Sequence, residues 1–500
     1  MASQWFSEAE MVEMATPVIK RIKTAIKRGD AARAIALCED LREERVLLHD
    51  FFTDCLAAIF TWTGENLGEE KLHDMFTYCF ENSSKRPVFD LLGIDIERGL
   101  MAELLVRGWV AHSCGGAGEH PGAFRVKEDD EKFTFLMDPC GSGGRLLRKG
   151  SYGPPLDFAR TSRAYPWSFN REGFPYYCTH CSFINESMPM KYNGIPSWPL
   201  DPPARPEDPC RWYIYKDKRA IPARFYERYG VRKENGVTPP TAGGERWFTP
   251  QQIEDTVRPT SDRIRERLEN GDTGGALRII REMAGDFVFL HSQIVNMLVS
   301  ILDFISRQTG EERMGEALAF LCEKSVKRQI AAPLEGMERR EAVRFIIRNF
   351  FLADLCGGGS YPRGRLSVSE DAGSVTIALD PCGSGGKLIR HNTYQPLGAV
   401  KKAWEDMEVK AMRLTAKLPL PRGLLKSSIP FTLNYFCEMR RPAGMGTTTR
   451  AYDWSGGRAG MPYYCCLCTA FLEEVGASWL QVHPPEGRRQ PCVWRAAKSG

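Results

Sequence analysis

Apolar residues recur at helical spacing through the first hundred residues and again after about residue 250. Met11, Met14, Val18 and Ile22 share one face of a first predicted helix, opened by Ser7 with Glu10 three residues on. Thr249, Pro250 and Gln252 form a matching start signal. Gly29 ends the first helix, and Asp30 caps a second through Ala34, Leu37, Cys38 and Leu41. Further helices are expected over Phe51–Trp62, Lys71–Phe80 and Ile96–Val110, together a helical bundle. The pattern then changes. KFTFLMDPC and SVTIALDPC carry β-branched and aromatic residues at strand density, GSGG supplies a turn, and RLLRK or KLIRH returns. This predicts a β-hairpin with a cysteine at its tip. The Pro-, Gly-, Tyr- and Trp-rich segments downstream predict a loop-rich subdomain of the kind that depends on a metal.

The patterns coincide because the chain repeats itself. A shift of 242 positions aligns Trp5-Phe6 with Trp247-Phe248, His49 with His291, Cys114 with Cys356, and DPCGSGG at 138–144 with DPCGSGG at 380–386. After an insertion over 395–449 the match resumes at a shift of 287. There RAYPWSFNREGFPYYCTHC and RAYDWSGGRAGMPYYCCLC agree at 12 of 19 positions. The expected fold class is α+β, a tandem duplication in which each repeat is an N-terminal helical bundle followed by a Cys-rich, loop-rich β subdomain with a metal site. Repeat one spans 1–212 (bundle 1–112, Cys-rich 113–212), a linker 213–242, and repeat two 243–500 (bundle 243–355, Cys-rich 356–500).

Composition narrows the function. A net charge of +4 with no dense basic block gives no electrostatic footprint for nucleic acid. The N-terminus lacks the apolar core of a signal peptide. The longest apolar stretch, FVFLHSQIVNMLVSILDFI, is broken by His291, Ser292, Gln293 and Asn296, so it predicts a buried helix and no membrane span. The expected location is cytoplasmic, where 16 cysteines point to metal ligands or reactive thiols more than to disulfides.

Five cysteines per repeat have counterparts. Cys114, Cys140, Cys178 and Cys181 form the simplest metal site, mirrored by Cys356, Cys382, Cys465 and Cys468. Each set contains a Cys-x-x-Cys, which converges two sulfurs on one ion. All-thiolate ligation suits zinc or an iron–sulfur cluster, and the lack of a compact Cys-x-x-Cys-x-x-Cys run favours zinc, one site per repeat. Cys210 and Cys492, in Pro-Cys-x-Trp, either replace one ligand or stand by as catalytic thiols; Cys437 and Cys466 have no counterpart. A phosphatase-type anion loop needs five residues between Cys and Arg, and Cys140 to Arg145 offers four; a Walker loop needs Ser or Thr where Leu388 follows Lys387. A catalytic nucleophile at Cys140 or Cys382, with Asp138 or Asp380 flanking it, is a further option, and Arg171 and Arg458 are candidates for the metal's surroundings or for binding an anionic or aromatic substrate. His49 and His291, mid-helix on apolar faces, are expected to be hydrogen-bonded core residues. His180 inside the first Cys-x-x-Cys faces Leu467 in the second, which hints that one half alone is catalytic.

The expected function is a two-site zinc enzyme, a hydrolase or lyase acting on a small molecule. A zinc-stabilised scaffold and an iron–sulfur redox protein are the alternatives. The sequence does not define an oligomeric state.

Overall fold

The structure, a computed structural model, describes residues 4–83, 97–112, 119–205, 207–233, 246–352, 364–396, scattered positions of 398–414, and 442–498. Cys114, Cys356, Cys437 and most of the 395–449 insertion lie outside these residues. The chain is mixed helix and antiparallel sheet, α+β as expected, and forms two compact units. A flanking unit gathers Met1–Trp62, Ile264–Gly398 and Asn434–Gly500. A unit central in the sequence comprises Thr63–Arg263 and Ala399–Leu433. Two of the boundaries, Trp62/Thr63 and Arg263/Ile264, fall within helices.

In the flanking unit the predicted first helix is two, Glu8–Met14 and Val18–Lys27, because Pro17 has no N–H for a continuing helix. The Ser7–Glu10 capping box is present, and Gly29 takes the positive φ (75°) that ends the second helix. Two helices expected between residues 31 and 62 are one 37-residue helix, Ala31–Leu67. No proline interrupts this stretch, and its end meets Gly68 at φ 100°. Thr273–Thr309 is a second helix of 37 residues, and its apolar stretch is buried within the unit. Val18, Ile22, Leu37 and Leu41 pack with Ile264, Ile280 and Met283.

Each unit holds one four-stranded antiparallel sheet. In the central unit β1 (Phe124–Glu128), β2 (Lys132–Met137), β3 (Leu200–Asp201) and β4 (Cys210–Tyr215) run in the order β1-β2-β4-β3. In the flanking unit β5 (Leu366–Glu370), β6 (Ser374–Leu379), β7 (Leu480–His483) and β8 (Cys492–Ala497) run β5-β6-β8-β7. The register places Met137 opposite Cys210 and Leu379 opposite Cys492.

The hairpin expectation is corrected here. The segments RLLR and KLIR do not return as strands; they are helices, Gly143–Arg148 and Gly385–Arg390. Both edges of β2 are already paired, with β1 and β4, and β6 is likewise flanked by β5 and β8. The chain leaving DPC therefore has no vacant edge, and it turns out of the sheet into a helix.

A buried carboxylate clips a distant arm onto each sheet. Glu370 in β5 accepts the backbone N–H groups of Trp5 and Phe6 at 2.5 and 2.8 Å, with the Lys498 ammonium 2.5 Å away. Glu128 in β1 accepts those of Trp247 and Phe248 at 2.8 and 3.0 Å, with Lys216 at 2.8 Å. The Trp5-Phe6 arm thus docks on the sheet that contains β5, and the Trp247-Phe248 arm on the sheet that contains β1. Gly99 makes room for Trp247, since a Cβ there would lie 2.0 Å from the indole. Burial pushes the Glu128 and Glu370 carboxyls up, but lysine and the two N–H groups outweigh it, and both sit below the usual range. Their stabilisation is therefore present above about pH 4.3 and fades as pH falls through the depressed folded values. Glu128→Ala is expected to cost about 3 kcal/mol at pH 7, because two buried N–H donors and an ammonium lose their acceptor. Urea unfolding across pH 3–7 checks it: the gap between wild type and variant closes toward the acid end.

Candidate functional site

In the central unit, strand β2 delivers Cys140, the helix Tyr176–Ser182 carries Cys178 and Cys181 three residues apart, and β4 begins at Cys210. All four line one cavity of about 280 Å³. The glycines of DPCGSGG are there for the sulfurs. A Cβ on Gly143 would sit 2.5 Å from Cys178 Sγ, and one on Gly144 2.9 Å from Cys140 Cβ. Burial pushes the Cys178, Cys181 and Cys210 thiols well above the ordinary range, and the neighbouring thiols push them further. For Cys178 the neighbour is Cys140; for Cys181, Cys210 leads. His180 also lines the cavity, its Nδ1 against the Tyr177 carbonyl and its Nε2 3.5 Å from Cys181 Sγ.

Three donors around this cluster are buried without a hydrogen-bond partner: Arg148 Nη1, the Tyr152 hydroxyl and Trp212 Nε1. Arg148 and Tyr152 lie within electrostatic reach of Cys140, and the Trp212 indole favours the ionised form of Cys210. Buried donors are ordinarily satisfied, so three around one group of sulfurs is informative.

The flanking unit has a parallel but smaller arrangement. Cys382 and Cys468 line a cavity of about 80 Å³, walled mostly by apolar side chains such as Phe350, Phe471 and Trp494. Gly386 N–H donates to Cys382 Sγ at 2.8 Å, and a Cβ on Gly385 would meet Cys465 Sγ at 2.7 Å. Cys465 is pushed up by burial and then by Cys382 and Cys492. The Tyr394 hydroxyl and Trp494 Nε1 are again buried without partners. Among the described residues, no three His, Cys, Asp or Glu side chains are placed to hold a metal ion together.

The other expected site residues lie elsewhere or have other work. Asp138 pairs with Arg125 and Asp380 with Arg390, and neither carboxylate lines either of these two cavities. Arg171 donates to the Pro203 and Pro202 carbonyls at 2.6 and 3.3 Å, and Arg458 to that of Pro484 at 3.0 Å. Arg171 lines the cavity, and these contacts tie the loop before β4 or β8 to the segment that precedes the Cys-x-x-Cys helix. His49 contacts Asp50 and Thr53, and His291 sits edge-on to Phe52 at 5.7 Å, both buried. Cys466 donates to the Pro462 carbonyl at 3.4 Å, and burial pushes its thiol up to about 12.

Sequence reasoning missed Tyr152 and Tyr394, although they are the last matched pair before the insertion. It also passed over Trp212 and Trp494, which the Pro-Cys-x-Trp match contains. Arg160, on the cavity wall, has Thr447 as its counterpart and left no such signal. The chain matches no protein-family model, no curated protein and no solved structure.

Proposed function

We propose that the chain is a tandem duplication with one zinc–thiolate centre per repeat, and that the centre in the central unit works as an enzyme, a hydrolase or lyase, on a small molecule. The observation that carries this reading is the convergence of Cys140, Cys178, Cys181 and Cys210 on one cavity, with the buried Trp212 indole on its wall and Arg148 and Tyr152 within electrostatic reach of Cys140. Buried thiols this close together ionise only when a cation shares the site. As thiolates they would accept from Trp212, Tyr152 and Arg148, and such outer donors are what orient metal ligands. Closing the sulfurs on one ion takes side-chain rotations from their present positions. The equal strand order of the two sheets and the equal lengths of the two long helices support the duplication.

A bound zinc would supply Lewis acidity toward a carbonyl or a leaving group. The chain itself supplies the rest. The 280 Å³ cavity admits a small substrate, His180 and Arg160 give it polar walls, and the aromatic rings around it exclude water. Elemental analysis and a visible spectrum of anaerobically purified protein test the centre. The expected result is about two zinc per chain and no colour. A brown protein absorbing near roughly 400 nm would replace zinc by a cluster, and metal-free, folded protein would end the reading.

A further inference from the structure

The two cavities differ in volume and in their walls. Trp109 meets Trp212 edge-on at 5.0 Å, and Phe351 meets Trp494 at 5.1 Å, so the helices before the two sheets run in matching register. One residue earlier, Phe350 stacks on Phe471 at 4.5 Å and fills the wall of the smaller cavity. The corresponding residue in the central unit is Gly108, and a Cβ there would touch nothing within 4 Å. The polar wall differs as well. Arg160 sits opposite Pro175 as Thr447 sits opposite Pro462. Glu172, His180 and Asp208 likewise give way to Ala459, Leu467 and Gln490.

Within the larger cavity the charges are mostly engaged. Arg205 pairs with Asp208 at 2.9 Å, and Arg171 is held by two proline carbonyls. Arg160 is exposed. It lies 4.6 Å over the Tyr152 ring and donates one N–H to the Gly173 carbonyl at 3.2 Å. Among the described residues the rest of its fork has no acceptor, and Glu172 is the remaining opposite charge on the wall. Trp109, Phe169, Phe174 and Trp212 supply the apolar surface, and Trp212 Nε1 is a buried donor without a partner.

We infer that the central cavity binds one small aromatic carboxylate per chain, its ring among Trp109, Phe169, Phe174 and Trp212 and its carboxylate on Arg160, and that the flanking cavity binds none. A planar ring suits walls of aromatic faces and edges, and a guanidinium fork suits a carboxylate. This rests on the central cavity being the working site, and not on the identity of its metal.

Isothermal titration of the full-length protein with benzoate tests it, with benzyl alcohol as the neutral control and metal content measured on every sample. Benzoate is expected to saturate at one equivalent per chain. Arg160→Gln should weaken benzoate about tenfold or more and leave benzyl alcohol unchanged, because a charge-assisted pair is lost and the ring site is kept. No saturable benzoate binding, two equivalents, or unchanged affinity in Arg160→Gln would overturn the inference; since Arg160 is exposed, its substitution leaves the fold intact and that comparison decides. Benzoate binding to metal-free protein would leave this inference standing while the zinc reading fell.

Discussion

Replacing Arg228 by alanine is expected to destabilise the central unit by about 3–5 kcal/mol, the cost of breaking a buried ion pair by removing one partner. Its Nη1 lies 2.8 Å from the Glu186 carboxylate, whose side chain is 0% exposed. Glu186 also accepts the Leu200 N–H at 2.9 Å and the Tyr229 hydroxyl at 2.8 Å. Tyr229 in turn meets Ser182, the last residue of the Cys-x-x-Cys helix. The network therefore fastens that helix to β3 and sets Cys178 and Cys181 against Cys210. Burial pushes the Glu186 carboxyl up, Arg228 and the two donors pull it back, and the net position stays above the ordinary carboxylate range. An acid raised in the fold is favoured below its unfolded pKa, and that stability is lost as pH rises through the folded value. Without Arg228 the carboxyl rises further, so the variant regains stability on protonation. Urea unfolding should show a smaller deficit at pH 5.5 than at pH 8. An equal deficit at both would mean that Arg228 acts through its packing over Phe169 and Phe225.

Local chemistry was legible in the chain and partner choice was not. The capping boxes at Ser7 and Thr249 form as their spacing requires, and KFTFLM and SVTIAL are strands. Each of those signals lies within a few residues of what it determines. The helix break misplaced between Leu41 and Phe51 followed from reading two apolar clusters as two helices, where no residue actually stops one. The false hairpin has a different cause. Whether RLLRK pairs with β2 depends on β4, some 70 residues away, claiming that edge first. The Trp-Phe arms were visible as a match, but their acceptors Glu128 and Glu370 lie far along the chain, and nothing local encodes that docking. At the site, the matched cysteines within the described residues do gather in their own unit. The cavity they line was invisible, because its walls come from segments between residues 109 and 212 that meet only in the fold.

Cys178→Ser is expected to remove one of two zinc equivalents and the cooperative folding of the central sheet. Binding of structural zinc contributes about 10–16 kcal/mol in small peptides, which matches or exceeds the roughly 5–15 kcal/mol that holds a whole domain. The run from Lys149 to Pro175 has one short 3-10 turn, Pro166–Ser168, and little other regular structure to replace that contribution. Hydrogen exchange should then show lost protection in 124–137 and 210–215, with 366–379 and 492–497 unchanged. Cys465→Ser should give the mirror image: one equivalent lost, and the flanking sheet opened. Cys466→Ser, which removes a buried thiol bonded only to a local carbonyl, should retain both equivalents and both sheets. Full metal and full protection in Cys178→Ser would show that its sulfur packs against Gly143 without ligating. The glycines would then serve close packing alone, and the two copies of DPCGSGG would be elements of the fold with no centre to hold.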